Sequence, residues 1–428
     1  MAAITAGRAV PGSGLSVRPK ILALDSAKKL GAKILVAGGG RCNVTHHAVD
    51  ESAYAGSSRH AIRKVLGRFG VDRTVEFFKE LGVELKREET GKLFPTTDSA
   101  RTVLDALLAA TKRAGVELRH PCRVESIART PDGFLISSSR PHLFPSPPDT
   151  CLARRVILAT GGQALPKSGS DGHGYSIVRS LGHTVTRTWP ALVPLTLPES
   201  HFMRGLAGIT VPATLELRAA SGKRLVAFTN STLCTHFGLS GPSVLDISRY
   251  FLDAAPGAGS AASPSVLAVN WLPHHSPDSL DAALLAAAAA TPQVSVSRAV
   301  SDQGKPPLPE RLARALCEHA RINPSLSLCD LTRHERWALV AASAALTLPV
   351  TGSKGFTYAE ATAGGVPLSE LHLDTMESRI CPGLHICGEL CDVDGRIGGF
   401  NFQWAWASGF VAGRAAAGAD AHHAINRS

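Results

Sequence analysis

Two strand-then-glycine segments stand far apart in this chain, yet both read as parts of one domain. "RRVILATGG" (154–162) is a buried strand closing on a Thr-Gly-Gly turn, and "PGLHICGE" (382–389) is a strand that delivers a carboxylate at Glu389. Between them the pattern changes. From about Ala191, short strands follow one another without helices: "ALVPLTL", "ATLELRA", "KRLVAFTN" and "SVLAVNWLP". Residues 276–345 then look helical, and from Val350 the chain returns to strands and glycine punctuation. A chain that leaves an alternating helix–strand pattern and comes back to it builds one domain around an insertion. The expected fold is α/β: a Rossmann-like nucleotide-binding domain interrupted by an inserted β-barrel and a small helical subdomain. Residues 1–190 would form the first part of that domain, 191–275 the barrel and 276–345 the helical subdomain. Residues 346–428 would return to the barrel and supply the domain's second part.

The opening 190 residues carry the alternation. "MAAITAGRA" reads as a short Ala-rich helix and "KILALD" (20–25) as a buried strand. "VDRTVEFFKELGVELKREETGKLFP" reads as an amphipathic helix stopped at Gly82, with a hairpin-like return after it. "ARTVLDALLAATKRAGVEL" is a second helix running into a strand, followed by "CRVESIART" and "GFLISSS", and "RPHLFPSPPDT" (140–150) is a surface turn. The glycine loop "AGGGRCNVT" is out of its usual place. In a dinucleotide-binding unit the glycines come first and an acid follows about twenty residues later; here Asp25 precedes the glycines. A nest of N–H groups from Gly38, Gly39 and Gly40 can hold an anionic or carbonyl group. Arg41 would add charge, and Asn43 and Thr45 hydrogen bonds. Asp25 could accept both hydroxyls of a ribose, or could serve as an ordinary acidic cap.

The tail gives the strongest signal. "GRIGGFNFQWAWASGFVAG" opens a helix with Gly398 and Gly399 at its start, a few residues after Glu389. A helix N-terminus carries free N–H groups and about half a positive charge. Set against N1 and the C2 oxygen of a flavin, it would stabilise the anionic reduced ring, with Glu389 suited to the ribityl hydroxyls. Packing of helix on sheet through small residues is the plainer reading of the same glycines.

Composition excludes little. The chain has 428 residues, a formal charge of +10 and a pI near 9.3. Lysine and arginine are nevertheless scattered, without stacking aromatics between them, so nucleic acid is not expected as a partner. Nine cysteines without a C-x-x-C point to reduced buried thiols in a cytoplasmic protein. "ALVAASAALTLPV" is too short and Ala-rich to span a bilayer, and no metal motif accompanies the paired histidines. "GLSG" is not G-x-S-x-G, so a serine hydrolase is unsupported.

"KKLGAKILVAGGGRCNVT", "ATGGQALPKSGSDGHGYSIVRSLGH", "THFGLSGPSVLDIS", "ATAGGVPLSEL", "TMES" and "PGLHICGELCDVDGRIGGFNFQWAWASGFVAG" run in one order along nearly the whole chain. In them the sequence resembles the BaiN-like flavoproteins, FAD-dependent oxidoreductases grouped with aminoacetone oxidase and bile-acid 4,6-reductase. The resemblance implies FAD as cofactor. It places Asp25 at the adenosine ribose, where the family usually has Glu, Val124 at the adenine, and Thr160, Gly161 and Gly162 at the nucleotide turn. Gly38–Thr45 would line the flavin side. Glu389, Asp394 and the segment Gly398–Gln403, with Gly399 and Asn401, would hold the ribityl chain and isoalloxazine.

Two departures stand out. His173 in "GSDGHGY" replaces a common acid. Relatives also begin with a strand and G-x-G-x-x-G ahead of the helix that here starts at Met1; "PGSGLSV" is a connector and no substitute. A central strand buries about five or six apolar side chains, on the order of 10 kcal/mol. The expectation is therefore a true start about fifteen codons upstream, encoding V-x-V-x-G-x-G-x-x-G. The leading functional reading is an enzyme moving a hydride or electron pair between FAD and a small organic substrate. The other is a non-catalytic FAD-fold remnant acting as a scaffold. No second G-x-G-x-x-G marks a nicotinamide domain, so NADPH or NADH would visit the flavin transiently. His236 and Thr362 are the weak catalytic candidates, because glycine-flanked polar residues often face a cavity. Reductase or oxidase, the substrate and the oligomeric state stay open.

Overall fold

The computed structural model describes residues 1–9, 19–138, 149–254 and 265–418. "PGSGLSV" and most of the turn at 140–150 lie outside them. The chain divides into two compact units, Met1–Trp189 with Glu360–Ser428, and Pro190–Ala359.

The first unit begins with helix α1 (Ala2–Ala9) and strand β1 (Ile21–Leu24), then a short strand β2 (Thr45–His46). Helix α2 (Val71–Glu80) buries Thr74, Phe77 and Phe78 at helical spacing, and Gly82 stops it at φ +82°. The hairpin β3 (Leu85–Arg87) and β4 (Lys92–Pro95) follows, with Leu85 opposite Pro95. Helix α3 (Ala100–Arg113) buries Val103, Leu104, Leu107 and Ala110 and runs into β5 (Val116–Arg119). The antiparallel strands β6 (Val124–Thr130), β7 (Gly133–Ser138) and β8 (Thr150–Ala153) come next, then β9 (Val156–Leu158) and helix α4 (His173–Ser180).

The second unit holds a seven-stranded sheet. In it β10 (Thr210–Arg218) pairs antiparallel with both the central strand β11 (Arg224–Thr235) and β12 (Val266–Asn270). Val211, Ala213, Leu215 and Leu217 of β10 are buried while alternate residues are more exposed, the period-two signature of a half-buried strand. Helices α5 (Pro277–Ala290), α6 (Val296–Asp302), α7 (Glu310–His319) and α8 (Arg333–Ala344) follow. Capping boxes at Ser276/Ser279 and Thr332/Glu335 start α5 and α8. Leu280, Leu284, Val300, Leu312, Leu316 and Leu339 of these helices share one apolar core with the sheet.

The chain then returns to the first unit with β13 (Leu384–Ile386) and the 17-residue helix α9 (Phe400–Ala416). Among the described strands of this unit, parallel pairing comes in two pieces. β1 lies beside β5 with Ile21 opposite Val116, and β9 beside β13 with Val156 opposite Leu384. Helix α9 packs on α1 through small residues. A Cβ on Gly413 would stand 2.3 Å from the carbonyl oxygen of Ala2, and one on Gly7 2.3 Å from that of Ala114. No described helix is long and apolar enough to cross a membrane. All nine cysteines are free, and burial pushes the Cys42, Cys234 and Cys387 thiols up to about 12, which keeps them protonated.

Candidate active site: two glycine corners and a carboxylate

The first corner follows a short helix, Ala32–Val36. Gly38, Gly39 and Gly40 adopt φ of 58°, 69° and 87°, so three successive residues sit in the left-handed region. All three are exposed. A Cβ on Gly39 would meet nothing within 4 Å, and one on Gly40 only the Leu35 carbonyl at 3.8 Å. That open backbone is what close approach of a flat ligand needs. Gly38 differs, because its Cβ would strike the Phe94 ring at 2.8 Å. Asn43 is only 7% exposed, and its Oδ1 has no hydrogen-bond partner. A buried amide oxygen in that state costs about 1–3 kcal/mol, which a ligand donor would offset. Arg41, expected to offer charge to a ligand, has its charge matched within the protein. It donates to Glu88 at 2.6 Å, lies 3.6 Å from Asp98, and covers the Phe94 ring at 4.1 Å.

The second corner is the entry to α9. Gly398 and Gly399 have φ of 125° and 97°. A Cβ on Gly399 would lie 2.6–2.8 Å from the backbone of Thr45, so glycine is required there by the chain itself. Helix α9 begins without a side-chain cap and without an acid in its first turn. Behind it, Thr45 donates to Gln403 Oε1 at 2.7 Å, Thr74 donates to the same oxygen at 3.0 Å, and Gln403 Nε2 donates to the Phe69 carbonyl at 2.9 Å. Asn401 likewise spends both ends of its amide on the Gly395 backbone, at 2.8 and 2.9 Å. These two side chains, read from sequence as ligand-facing, hold the corner's shape. Asp394 is buried on a strand, Val393–Gly395, paired with Tyr54–Gly56.

Glu389 joins the two ends of the chain. Its Oε2 accepts from Lys33 Nζ at 2.5 Å and its Oε1 from the Thr362 N–H at 2.8 Å. The Thr362 hydroxyl is fully buried and accepts from the N–H groups of Gln163 and Ala164, at 2.8 and 3.0 Å. A Cβ on Gly162 would collide with Thr362 Oγ1 at 2.4 Å and approach Glu389 Oε1 at 2.9 Å. The Thr160–Gly162 turn is thereby fastened to Glu389. Thr362 acts in this structure as the fastener, a role that differs from the catalytic one considered for it. Nearby, the Tyr175 hydroxyl is buried without a partner, and burial, then the Glu389 charge, raises its pKa.

Other expected residues are placed less tellingly. Asp25 Oδ1 accepts from the Ala27 N–H at 2.7 Å, a local turn contact; the next helix starts only at Ala32 behind Gly31, so Asp25 is not the helix cap that its sequence position also allowed. Val124 starts β6, half-buried. His173 Nε2 lies 3.0 Å from the Glu125 carbonyl, and the His173 N–H donates to Asp171 at 3.0 Å. His236 belongs to the second unit, where its exposed ring stands edge-on to Phe237. Sequence reading missed Lys33, and although it expected the hairpin that holds β4 it did not connect that strand with the glycine corners. The alternation in "KLFP" could have shown that Lys92 and Phe94 share a face.

An open left-handed glycine turn, an orphaned buried amide oxygen and an uncapped helix entry make a cradle suited to a planar, hydrogen-bonding ring. The chain has the α/β, Rossmann-like fold of an FAD-binding domain and is a flavin-dependent oxidoreductase. The chain belongs to the family described as "HI0933-like protein Rossmann domain", which it matches over residues 1–415. It is 35% identical over 399 residues to the 3-dehydro-bile acid delta(4,6)-reductase of Clostridium scindens, covering 93% of each chain. It is 33% identical over 394 residues to the ribosomal RNA dihydrouridine synthase of Escherichia coli, covering 92% of this chain and 90% of that one. Among solved structures, the E. coli quinol fumarate reductase FrdA aligns with 99% of this chain and 69% of its own, at TM-score 0.47 and 14% identity.

Proposed function

We propose that this enzyme is an FAD-dependent reductase that saturates a carbon–carbon double bond conjugated to a carbonyl, in a small organic substrate. The printed names of both relatives describe hydrogen added across such a bond. Per turnover the substrate gains two electrons and two protons, with NADPH or NADH as the transient electron donor and the second proton from water. Bound FAD would supply two-electron transfer as hydride. The chain's own residues would bind and orient. Gly38–Gly40 and Asn43 would line the ring, the Gly398–Gly399 entry to α9 its pyrimidine edge, and Glu389, fixed by Lys33, with Asp394 the ribityl chain. Thr160–Gly162, Val124 and Asp25 would take the nucleotide end. The observation that carries this assignment is the unpartnered Asn43 Oδ1 beside an open glycine turn.

The test is direct. The purified protein, reconstituted with FAD, should absorb near 450 nm (the flavin band) and bleach with NADPH or NADH. It should then add two hydrogens to a 3-oxo-4,6-diene steroid, read by mass spectrometry. Run in parallel, ribosomal RNA tests the other substrate class: dihydrouridine formed there, with the steroid untouched, overturns the small-molecule reading. A colourless protein that ignores added FAD in calorimetry overturns the cofactor assignment.

A further inference from the structure

We propose that Lys92 supplies the positive charge that stabilises the reduced, anionic flavin ring; the proposal rests on the FAD assignment above. Strand β4 runs along both glycine corners. Phe94 stands 2.8 Å from the position a Cβ on Gly38 would take, and Lys92 Cε stands 3.6 Å from the corresponding position on Gly398. Residues two apart on a strand share a face, so one edge of one short strand serves both corners. Register with β2 fixes it there, with Lys92 opposite His46 and Leu93 opposite Thr45. His46 in turn stacks on Phe400, the first residue of α9, at 5.0 Å.

Lys92 is half-buried, and among the described residues its ammonium has neither an ion pair nor a hydrogen bond. Two neighbouring cations of this hairpin region are matched, Arg41 by Glu88 and Lys86 by Asp98, while Arg87 points to solvent. Next to Lys92 lies the entry to α9, itself the positive end of a helix dipole with no acid in its first turn. Two positive ends brought together repel each other. A neutral oxidised ring would leave that repulsion in place. A ring that becomes negative along its pyrimidine edge on reduction would relieve it, so the arrangement favours the reduced form over the oxidised one. The aliphatic stem of Lys92 would meanwhile cover Gly398 and exclude water.

The experiment uses the FAD-loaded chain and its K92M and K92R variants. It measures FAD affinity by calorimetry, the two-electron midpoint potential, and the affinity for sulfite, which adds to the ring and leaves it anionic. K92M should bind oxidised FAD within a few-fold of the parent. Its equilibrium should shift about tenfold toward the oxidised form, ~30 mV for a two-electron couple, and sulfite affinity should fall by a similar factor. K92R should restore both. If K92M folds poorly, K92Q is measured in the same way. Unchanged potential and sulfite affinity in a variant that still holds FAD overturn the role of Lys92 and leave the cofactor assignment standing. Loss of oxidised FAD with folding intact would make Lys92 a binding residue, and also overturns the proposal. A parent chain that never takes up FAD removes both.

Discussion

The two glycine corners of the first unit look alike in sequence and differ in cause. At Gly39 the left-handed turn opens on empty space, and an added Cβ would meet nothing. At Gly399 the same added atom would collide with the Thr45 backbone at 2.6 Å. At Gly39 and Gly40 the left-handed backbone calls for glycine and the space beside it is open; at Gly399 the chain comes close to itself. Glycine by itself therefore does not say whether anything approaches, and only the surrounding atoms separate a ligand-facing turn from a packing contact.

Substitution at each corner tests the distinction. Gly399→Ala should have the largest effect. It forces a Cβ into backbone at φ +97°, so strain and overpacking together should cost about 3 kcal/mol, read by urea denaturation, with FAD binding lost as α9 shifts. A variant of parental stability would mean that Thr45 yields easily and the two corners do not differ. Gly39→Ala should cost only the conformational strain, about 1 kcal/mol, yet weaken FAD binding about tenfold or more. Equal losses of stability at both positions would erase the contrast. Asn43→Ala should sharpen it further. Removing a buried, unsatisfied amide leaves apo stability unchanged or slightly higher, while FAD affinity falls several-fold in calorimetry; a clear loss of apo stability would show that Oδ1 is satisfied within the protein.

A control lies away from both corners. His385 on β13 is 2% exposed, and burial holds its pKa below the usual imidazole range. Above about pH 6.5 it is neutral in folded and unfolded chains alike. Below that, the unfolded chain takes a proton that the folded chain refuses, so stability falls at up to ~1.4 kcal/mol per pH unit until the folded pKa is reached. His201 in the second unit is shifted the same way, first by burial and then by His319. His385→Asn should flatten part of the slope in denaturation measured from pH 7 to 5, without changing FAD affinity at pH 7.5. An unchanged slope would show that His385 protonates freely in the folded protein.

Much of this was legible in the sequence. The alternation of helix and strand, the departure near residue 190 and the return in the tail are local signals that survive folding, because hydrophobic period and glycine punctuation act over a few residues. Glu389 was legible as a carboxylate at a strand end. The partners that define its role were not. Lys33 is 356 residues away along the chain, and Thr362, on the strand Ala361–Ala363, meets the turn at Gly162 from 200 residues further on. Arg41 and Gln403 read as ligand-facing because arginine and glutamine in a motif suggest contact, and nothing local revealed that Glu88, Thr45, Thr74 and Phe69 would engage them first.

The sequence by itself determined most element types and the α/β character of the first unit, but not the helix Pro242–Asp253, which lies in a stretch that reads as strands without helices between them. Tertiary structure decided which residues at the glycine turns have unspent hydrogen-bonding capacity or charge. That follows from the short reach of hydrogen bonds and close-range ion pairs, a few ångströms. Whether Asn43 Oδ1 or the Lys92 ammonium is left without a partner depends on chain segments brought alongside by folding, whose identity no local pattern encodes.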